Sequence, residues 1–348
     1  MKKLNIAVVG AGLIGKDHIA LVANNPECHL FAIADPTDAG RTHAENHQTS
    51  WYTGLDEVLA TGQVDGVILA TPNQLHVEQT LQCIAAGVPT LIEKPVAHTL
   101  DEGRRLLAIA ANSDVPLLVG HHRMHSPIMA QARAVIDSGV LGDLVAITGS
   151  ALFYKPDDYF RAGVWRTQPG GGPILLNMTH EIGNLRYLCG DVQAVQAIAS
   201  NRRRGYVVED TVGIVLSFES GVIGTFILSD TAGSACSWEQ TSQENPDYTT
   251  YPDEDCYHIA GTDGSLSVPT MRIKRYTDKA DRSWYKPFTS ECVSLERKDP
   301  VGEQLKHFCQ LIRGEAEPLV SVRDGFQNVL ITEAIVEAAA SGKTVTIN

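Results

Sequence analysis

Residues 4–15 read LNIAVVGAGLIG, a short apolar run that ends in glycine and is followed by two more glycines. This G-x-G-x-x-G, Gly10-Ala11-Gly12-Leu13-Ile14-Gly15, limits what the chain can fold into more than any other feature. It requires a strand before it and a helix after it. Gly10 allows the tight turn, Gly12 lets a pyrophosphate approach the backbone, and Gly15 lets helix and strand pack closely. The helix that opens at Leu13 and Ile14 then points its N-terminus at the phosphate charge. Asp35 ends the next apolar run, about 20 positions on, where a carboxylate accepts hydrogen bonds from ribose hydroxyls. The alternative is a glycine turn without a ligand and a strand-end Asp that caps a helix. Asp35 would repel a 2′-phosphate, and Pro36-Thr37-Asp38 offers no arginine to bind one. NAD is therefore expected rather than NADP, with Arg41 the nearest basic residue.

The first 120 residues alternate strand and helix signals. Strands are expected at 4–9, 30–34, 64–70, 90–92 and 117–119, and helices at 13–23, 56–60, 75–86 and 100–111. Near-continuous apolar strands separated by amphipathic helices imply a parallel sheet covered on both faces. After a helix at 127–138 the pattern changes. Longer, alternating strands are expected at 144–152, 192–200, 211–219, 222–229 and 257–260, with a hairpin turn at 217–221. A helix at 174–188 and two closing helices at 301–312 and 324–340 accompany them. The segment 237–255 is polar and reads as a long functional loop, whose Trp238-Glu239-Gln240 could line a pocket or a subunit contact. The fold class is α/β: an N-terminal Rossmann domain with a doubly wound parallel sheet (1–122), then a C-terminal α+β domain with an open, largely antiparallel sheet (123–348). The terminal helices have the option of packing back on the first domain. A length of 348 residues suits two such domains.

Composition narrows the function. Lys plus Arg number 28 against 41 Asp plus Glu, a formal charge of −13. Such a surface disfavours nucleic acid and anionic membranes. No apolar run approaches the roughly 20 residues that span a bilayer. The basic start reads as the approach to a first strand, not a signal peptide. Seven scattered cysteines without a C-x-x-C pair suit reduced core thiols in a cytoplasm.

Further candidates sit at strand ends. Thr71-Pro72-Asn73 and His76 follow the third parallel strand, where ligands of open sheets lie; a cap on the helix near Leu75 is the other reading. Glu93-Lys94-Pro95 ends the next strand. A lysine there could hold a substrate oxygen and stabilise alkoxide charge, or form a strand-end ion pair. His121-His122-Arg123-Met124-His125 lacks the convergent ligands of a metal site, and no metal is expected. Tyr154, Arg161 and Arg166 precede Gly170-Gly171-Gly172. Arginines clamp carboxylates through paired hydrogen bonds, which would suit an acidic sugar or hydroxy acid; an ordinary ion pair serves Arg166 equally well.

The G-x-G-x-x-G, Ala70-Thr-Pro-Asn-x-x-His76, Glu93-Lys-Pro95, His121-x-Arg123 and the glycine run before His180 occur in one order. Together they resemble the glucose–fructose oxidoreductase / inositol dehydrogenase (Gfo/Idh/MocA) family across essentially the whole chain. The resemblance implies NAD(P)-dependent oxidation of a sugar, cyclitol or related hydroxyl compound. It implies Lys94 and His180 as catalytic residues, His122 and Arg123 beside the cofactor and the lysine, and a homodimer or homotetramer built on the exposed sheet face. The family usually has Asp four residues before that histidine. Here that position is Leu176, and Asn177 lies three before. An amide can orient a hydroxyl but cannot be a general base. His180 is therefore expected to take the hydroxyl proton while Lys94 holds the oxygen; Lys94 as the base is the alternative. Use of tightly bound NAD in isomerisation, elimination or glycoside cleavage, and non-catalytic NAD sensing, are the rival functions.

Overall fold

The computed structural model describes residues 2–347, which divide into two compact units: 2–125 with 300–329, and 126–299 with 330–347. The first unit begins with β1 (Leu4–Val9), α1 (Leu13–Asn24), β2 (Cys28–Ala34), α2 (Asp38–Asn46), β3 (Ser50–Tyr52), α3 (Leu55–Ala60), β4 (Gly66–Leu69), α4 (His76–Ala86), β5 (Thr90–Ile92), α5 (Leu100–Ala110) and β6 (Leu117–Val119). The strands form one six-stranded sheet in the order β3-β2-β1-β4-β5-β6, parallel throughout. β4, β5 and β6 are buried along their whole length, as expected for strands covered on both faces. Strand order reverses between β1 and β4, and ligands of doubly wound sheets sit beyond such a point.

The second unit continues with α6 (Pro127–Asp137), β7 (Leu144–Leu152), α7 (Asp157–Arg161), α8 (Thr179–Cys189), β8 (Val192–Ser200), β9 (Thr211–Phe218), β10 (Ile223–Ser229), α9 (Trp238–Ser242), β11 (Tyr257–Gly261), β12 (Gly264–Val268), β13 (Arg272–Arg275) and β14 (Thr289–Cys292). Then α10 (Pro300–Ile312) and the first turns of α11 (Val322–Ser341) belong to the first unit, and the rest of α11 with β15 (Val345–Thr346) to the second. The nine-stranded sheet runs β14-β13-β12-β11-β7-β10-β9-β8-β15. Only β7 and β10 pair in parallel; the other neighbours are antiparallel.

One face of this sheet carries the core. Phe218, Phe226, Tyr257 and Leu266 pack with Met129 of α6, Ile182 and Leu185 of α8, and Ile335 of α11. The period-2 burial of β9 and β10 leaves the other face open. Ile198, Val215, Ile223 and Ile227 are exposed on its strands. In the first unit, Phe308 of α10 is fully buried, Cys309 Sγ lies 3.4 Å from Cys28 Sγ, and Val119 N of β6 donates to Val320 O at 3.0 Å. These contacts hold 300–329 in that unit. Five of the seven cysteines are buried, the core role expected of them. Among the described residues no helix is long and apolar enough to cross a membrane.

Two expectations need correction. The segment 237–255 is not an open loop: α9 fills part of it, capped by the Ser237 side chain. Trp238 is buried, its ring 5.9 Å from Tyr257 and its Nε1 donating to Glu244 Oε2 at 3.2 Å. Trp238 therefore belongs to the core, while Glu239 and Gln240 beside it are half-buried. The helix expected at 174–188 begins as a π-turn, Ile174–Met178, and becomes α-helical only at Thr179.

Candidate functional site

Gly10 ends β1 in a left-handed conformation (φ +93°), and a Cβ there would lie 2.5 Å from Ala70 O. A Cβ on Gly15 would lie 2.1 Å from Gly10 O. The packing of the unit therefore requires both glycines. At Gly12 nothing stands within 4 Å of a Cβ position. Gly12 is the N-cap of α1 and offers no side-chain acceptor, so the first-turn amides are available to an outside acceptor. Leu13 beside them is largely exposed, and Ile14 is half-buried.

Asp35 follows β2. Its Oδ2 accepts from Ala11 N at 2.8 Å and its Oδ1 from Thr37 N at 2.9 Å, with the Thr37 hydroxyl also donating. Burial opposes its charge, but these hydrogen bonds outweigh burial and hold the carboxyl below the usual range. Each carboxylate oxygen accepts two hydrogen bonds, so Oδ2 keeps capacity for a hydroxyl donor. The open position at Gly12, the helix terminus and this ionised carboxylate fit a dinucleotide. Arg41 Nε donates to Glu45 at 3.1 Å on the exposed surface, and the guanidinium lies 5.7 Å from the Trp51 ring.

Beyond β4, Thr71 Oγ1 donates to Gln79 Oε1 at 2.6 Å, Pro72 is exposed, and Asn73 opens a short 3-10 turn. No side-chain cap is made there or at the start of α4. His76 is fully buried. Its Nδ1 lies 2.8 Å from Pro95 O and its Nε2 2.9 Å from Thr71 O. It ties the loop after β4 to the loop after β5 and so positions both. Burial lowers its pKa against the pull of both carbonyls. Glu93 is also buried. Its Oε1 meets His18 Nε2 at 2.8 Å, and its Oε2 accepts from Lys94 N at 3.1 Å. Burial disfavours the Glu93 charge, but His18, Lys94 and His122 together hold its pKa below normal. Lys94 follows, half-buried, and its peptide to Pro95 is cis.

The histidine cluster after β6 splays apart. His121 Nε2 lies 3.2 Å from Asn328 Nδ2, and His125 stacks on His307 at 5.1 Å. Arg123 is buried and His122 half-buried. Among the described residues no group of three His, Cys, Asp or Glu side chains is arranged to hold a metal ion.

In the second unit, Asn177 lies in the π-turn and His180 at the start of α8; both are half-buried. π-turns widen a helix locally and recur at functional sites. Glu209 Oε1 accepts from Ile174 N at 2.8 Å at the head of this turn, and burial raises its pKa. Asn177 Oδ1 accepts from Lys155 Nζ at 2.7 Å. Arg166 stacks its guanidinium 3.9 Å from the Tyr159 ring centre. It makes no ion pair among the described residues. Arg161 instead pairs with Asp158 on the exposed surface. Tyr154 is exposed, its ring 5.0 Å from Arg204.

Sequence reasoning passed over His18, Lys155, Arg204, Glu209 and Asp230. His18 had a signal: three positions after Gly15, it lies on the buried side of α1. Lys155 had none, because nothing in Tyr154-Lys155-Pro156 marks it off from a surface lysine.

Residues 4–121 match the oxidoreductase family with an NAD-binding Rossmann fold, and residues 129–267 match the GFO/IDH/MocA C-terminal domain. The chain is 27% identical to the rhizopine catabolism protein MocA of Rhizobium meliloti over 97% of this chain and 95% of that protein. It is 28% identical to a 1,5-anhydro-D-fructose reductase of Ensifer adhaerens, covering 98% and 97%. Its structure resembles that of an oxidoreductase from Agrobacterium radiobacter in complex with NAD+, L-tartaric acid and magnesium. That match has a TM-score of 0.82 at 20% identity and covers 99% of each chain.

Proposed function

The chain belongs to the Gfo/Idh/MocA family of oxidoreductases, and on that premise we propose that it is an NAD-dependent dehydrogenase. It oxidises a secondary alcohol of a sugar, sugar acid or cyclitol. The observation that carries this reading is the first unit's nucleotide end, where Gly12 leaves the first turn of α1 open and Asp35 stays ionised with acceptor capacity to spare. Likeness to a named anhydrosugar reductase supports the polyhydroxylated substrate class.

Residues of the first turn of α1 bind the cofactor phosphates, Asp35 binds the adenosine ribose and, by its charge, favours NAD over NADP. Thr71, Pro72 and Asn73 border the cofactor. Bound NAD supplies the hydride acceptor. Lys94 holds the substrate oxygen and stabilises the developing alkoxide. His180 accepts the hydroxyl proton; the ordinary pKa of histidine suits that role at neutral pH. Asn177, whose amide does not titrate, orients a neighbouring substrate group, with His122, Arg123 and Arg166 as further polar contacts.

The exposed apolar face of β7–β10 supports assembly of two or four copies, because a monomer gains by removing such a face from water. Five buried cysteines of seven suit reduced thiols in a cytoplasmic protein. Steady-state assays with NAD and a panel of polyols, inositols and aldonic acids test the function. NADH formation with a member of the panel is expected, and turnover without net NADH would favour the tightly bound-cofactor reading.

A further inference from the structure

We infer that Lys155 and Arg166 form a carboxylate subsite in the second unit, which makes the substrate an anionic polyol such as an aldonic acid rather than a neutral sugar or cyclitol. The inference rests on the dehydrogenase reading for its chemistry, but the binding site stands on its own geometry.

Lys155 is held as a built residue, not a surface one. Its N–H donates to Asp230 O at 2.9 Å, and its carbonyl accepts from Arg204 Nη2 at 2.8 Å. Its side chain runs over the rings of Phe153 and Tyr159, with Nζ 5.5 and 4.9 Å from their centres. Nζ then donates to Asn177 Oδ1 at 2.7 Å, its sole hydrogen-bond acceptor among the described residues. That acceptor is a neutral amide. A largely buried ammonium ordinarily has a carboxylate partner, and among the described residues none is within ion-pair reach of Lys155. Asp230, the acidic group nearest in influence, is bound to Arg204 Nε at 2.9 Å.

Arg166 repeats the pattern. It lies on the same Tyr159 ring at 3.9 Å, donates through Nη1 to Tyr159 O, and keeps a buried Nε without an acceptor. Two cations thus share one aromatic ring, and neither has a counter-ion among the described residues. Their mutual repulsion and lost hydration favour an incoming anion. Asn177 suits the same ligand. With Oδ1 taken by the ammonium, its Nδ2 is left to donate, and it adds no negative charge to repel a carboxylate. Asn177 is also three residues before His180, so the subsite holds the acid end of a ligand beside the residue assigned to proton transfer.

The test is calorimetry on the full-length protein with NADH present. The probes are threonate, D-gluconate and D-galactonate against threitol, sorbitol and galactitol. At least one aldonate is expected to bind more tightly than its alditol. Lys155→Met is expected to weaken that aldonate about 10- to 100-fold, the loss of a hydrogen bond to a charged group, and to leave the alditol unchanged. Lys155→Arg should restore part of the difference. Alditols that bind as well as the acids, no aldonate binding at millimolar concentration, or equal weakening of both classes by Lys155→Met would overturn the subsite. Should Lys155→Met not fold, the wild-type protein decides the same question: aldonate binding should weaken as pH rises through about 8, where Lys155 titrates, and alditol binding should not. Failure of all six compounds to reduce NAD, with aldonate binding intact, would count against the dehydrogenase reading alone.

Discussion

At the scale of single residues, the proposed chemistry divides between groups that touch ligands and groups that position them. Lys94 and His180 are assigned to the reacting oxygen. Alanine at either position should lower kcat by about 100- to 10,000-fold, the usual worth of a positioned proton-transfer group. Near-normal kcat in both variants, measured by steady-state kinetics, would remove the mechanism. In the proposed function Asp35 sets cofactor choice. Asp35→Ser removes the charge that repels a 2′-phosphate, so the ratio of KM values for NADP and NAD should fall by about 10-fold or more, roughly the worth of one charged hydrogen bond. An unchanged ratio would assign the preference elsewhere. Lys155 brings a pH signature. Burial is the largest influence on it and drops its pKa to about 8. Arg204 and Arg166 add to the drop, while Asp230 and Glu239 oppose it. The group is cationic below that value and neutral above it. KM for an acidic substrate should therefore rise from about pH 8 upward, and kcat should follow a different profile set by the proton-transfer residues. Parallel profiles for KM and kcat would contradict a binding role.

At the scale of elements, close approach decides which substitutions the nucleotide end tolerates. A Cβ on Gly15 would stand 2.1 Å from Gly10 O, and backbone cannot yield as a flexible side chain does. Gly15→Ala should cost about 1–3 kcal/mol, in the range of overpacked positions, and raise KM for NAD; an unchanged melting temperature would contradict the tight helix–strand contact. This element was legible in sequence because three glycines, an apolar strand and an acidic strand end coincide within 32 residues, 4 to 35. Other elements were not. α2 reads DAGRTHAEN, too polar to show an apolar stripe, and β14 is exposed along its length. The π-turn escaped because an apolar pattern of period 3.6 does not distinguish it from the α-helix that follows. α9 carried a signal that the polarity of its surroundings masked: Ser237-Trp-Glu-Gln240 has the serine and glutamine spacing of a capping box. The same blindness hid Lys155, whose importance comes from Asn177, a contact 22 residues away that no local pattern encodes.

At the scale of the whole molecule, two kinds of sheet do different work. The parallel sheet buries its strands and presents their ends; the mixed sheet buries one face and leaves Ile198, Val215, Ile223 and Ile227 on the other. Ile198 is 82% exposed. Paired substitution Ile198→Lys with Ile227→Asp should shift the mass seen by light scattering toward the monomer and leave circular dichroism unchanged. An unaltered assembly would place the interface elsewhere. The most direct test of the central claim follows nicotinamide absorbance while the purified full-length chain is offered NAD with polyols, inositols and aldonic acids. Stoichiometric NADH formation with a polyhydroxylated substrate, abolished in His180→Ala and Lys94→Ala, is the expected result. Saturable binding of NAD without reduction by any member of the panel would contradict it.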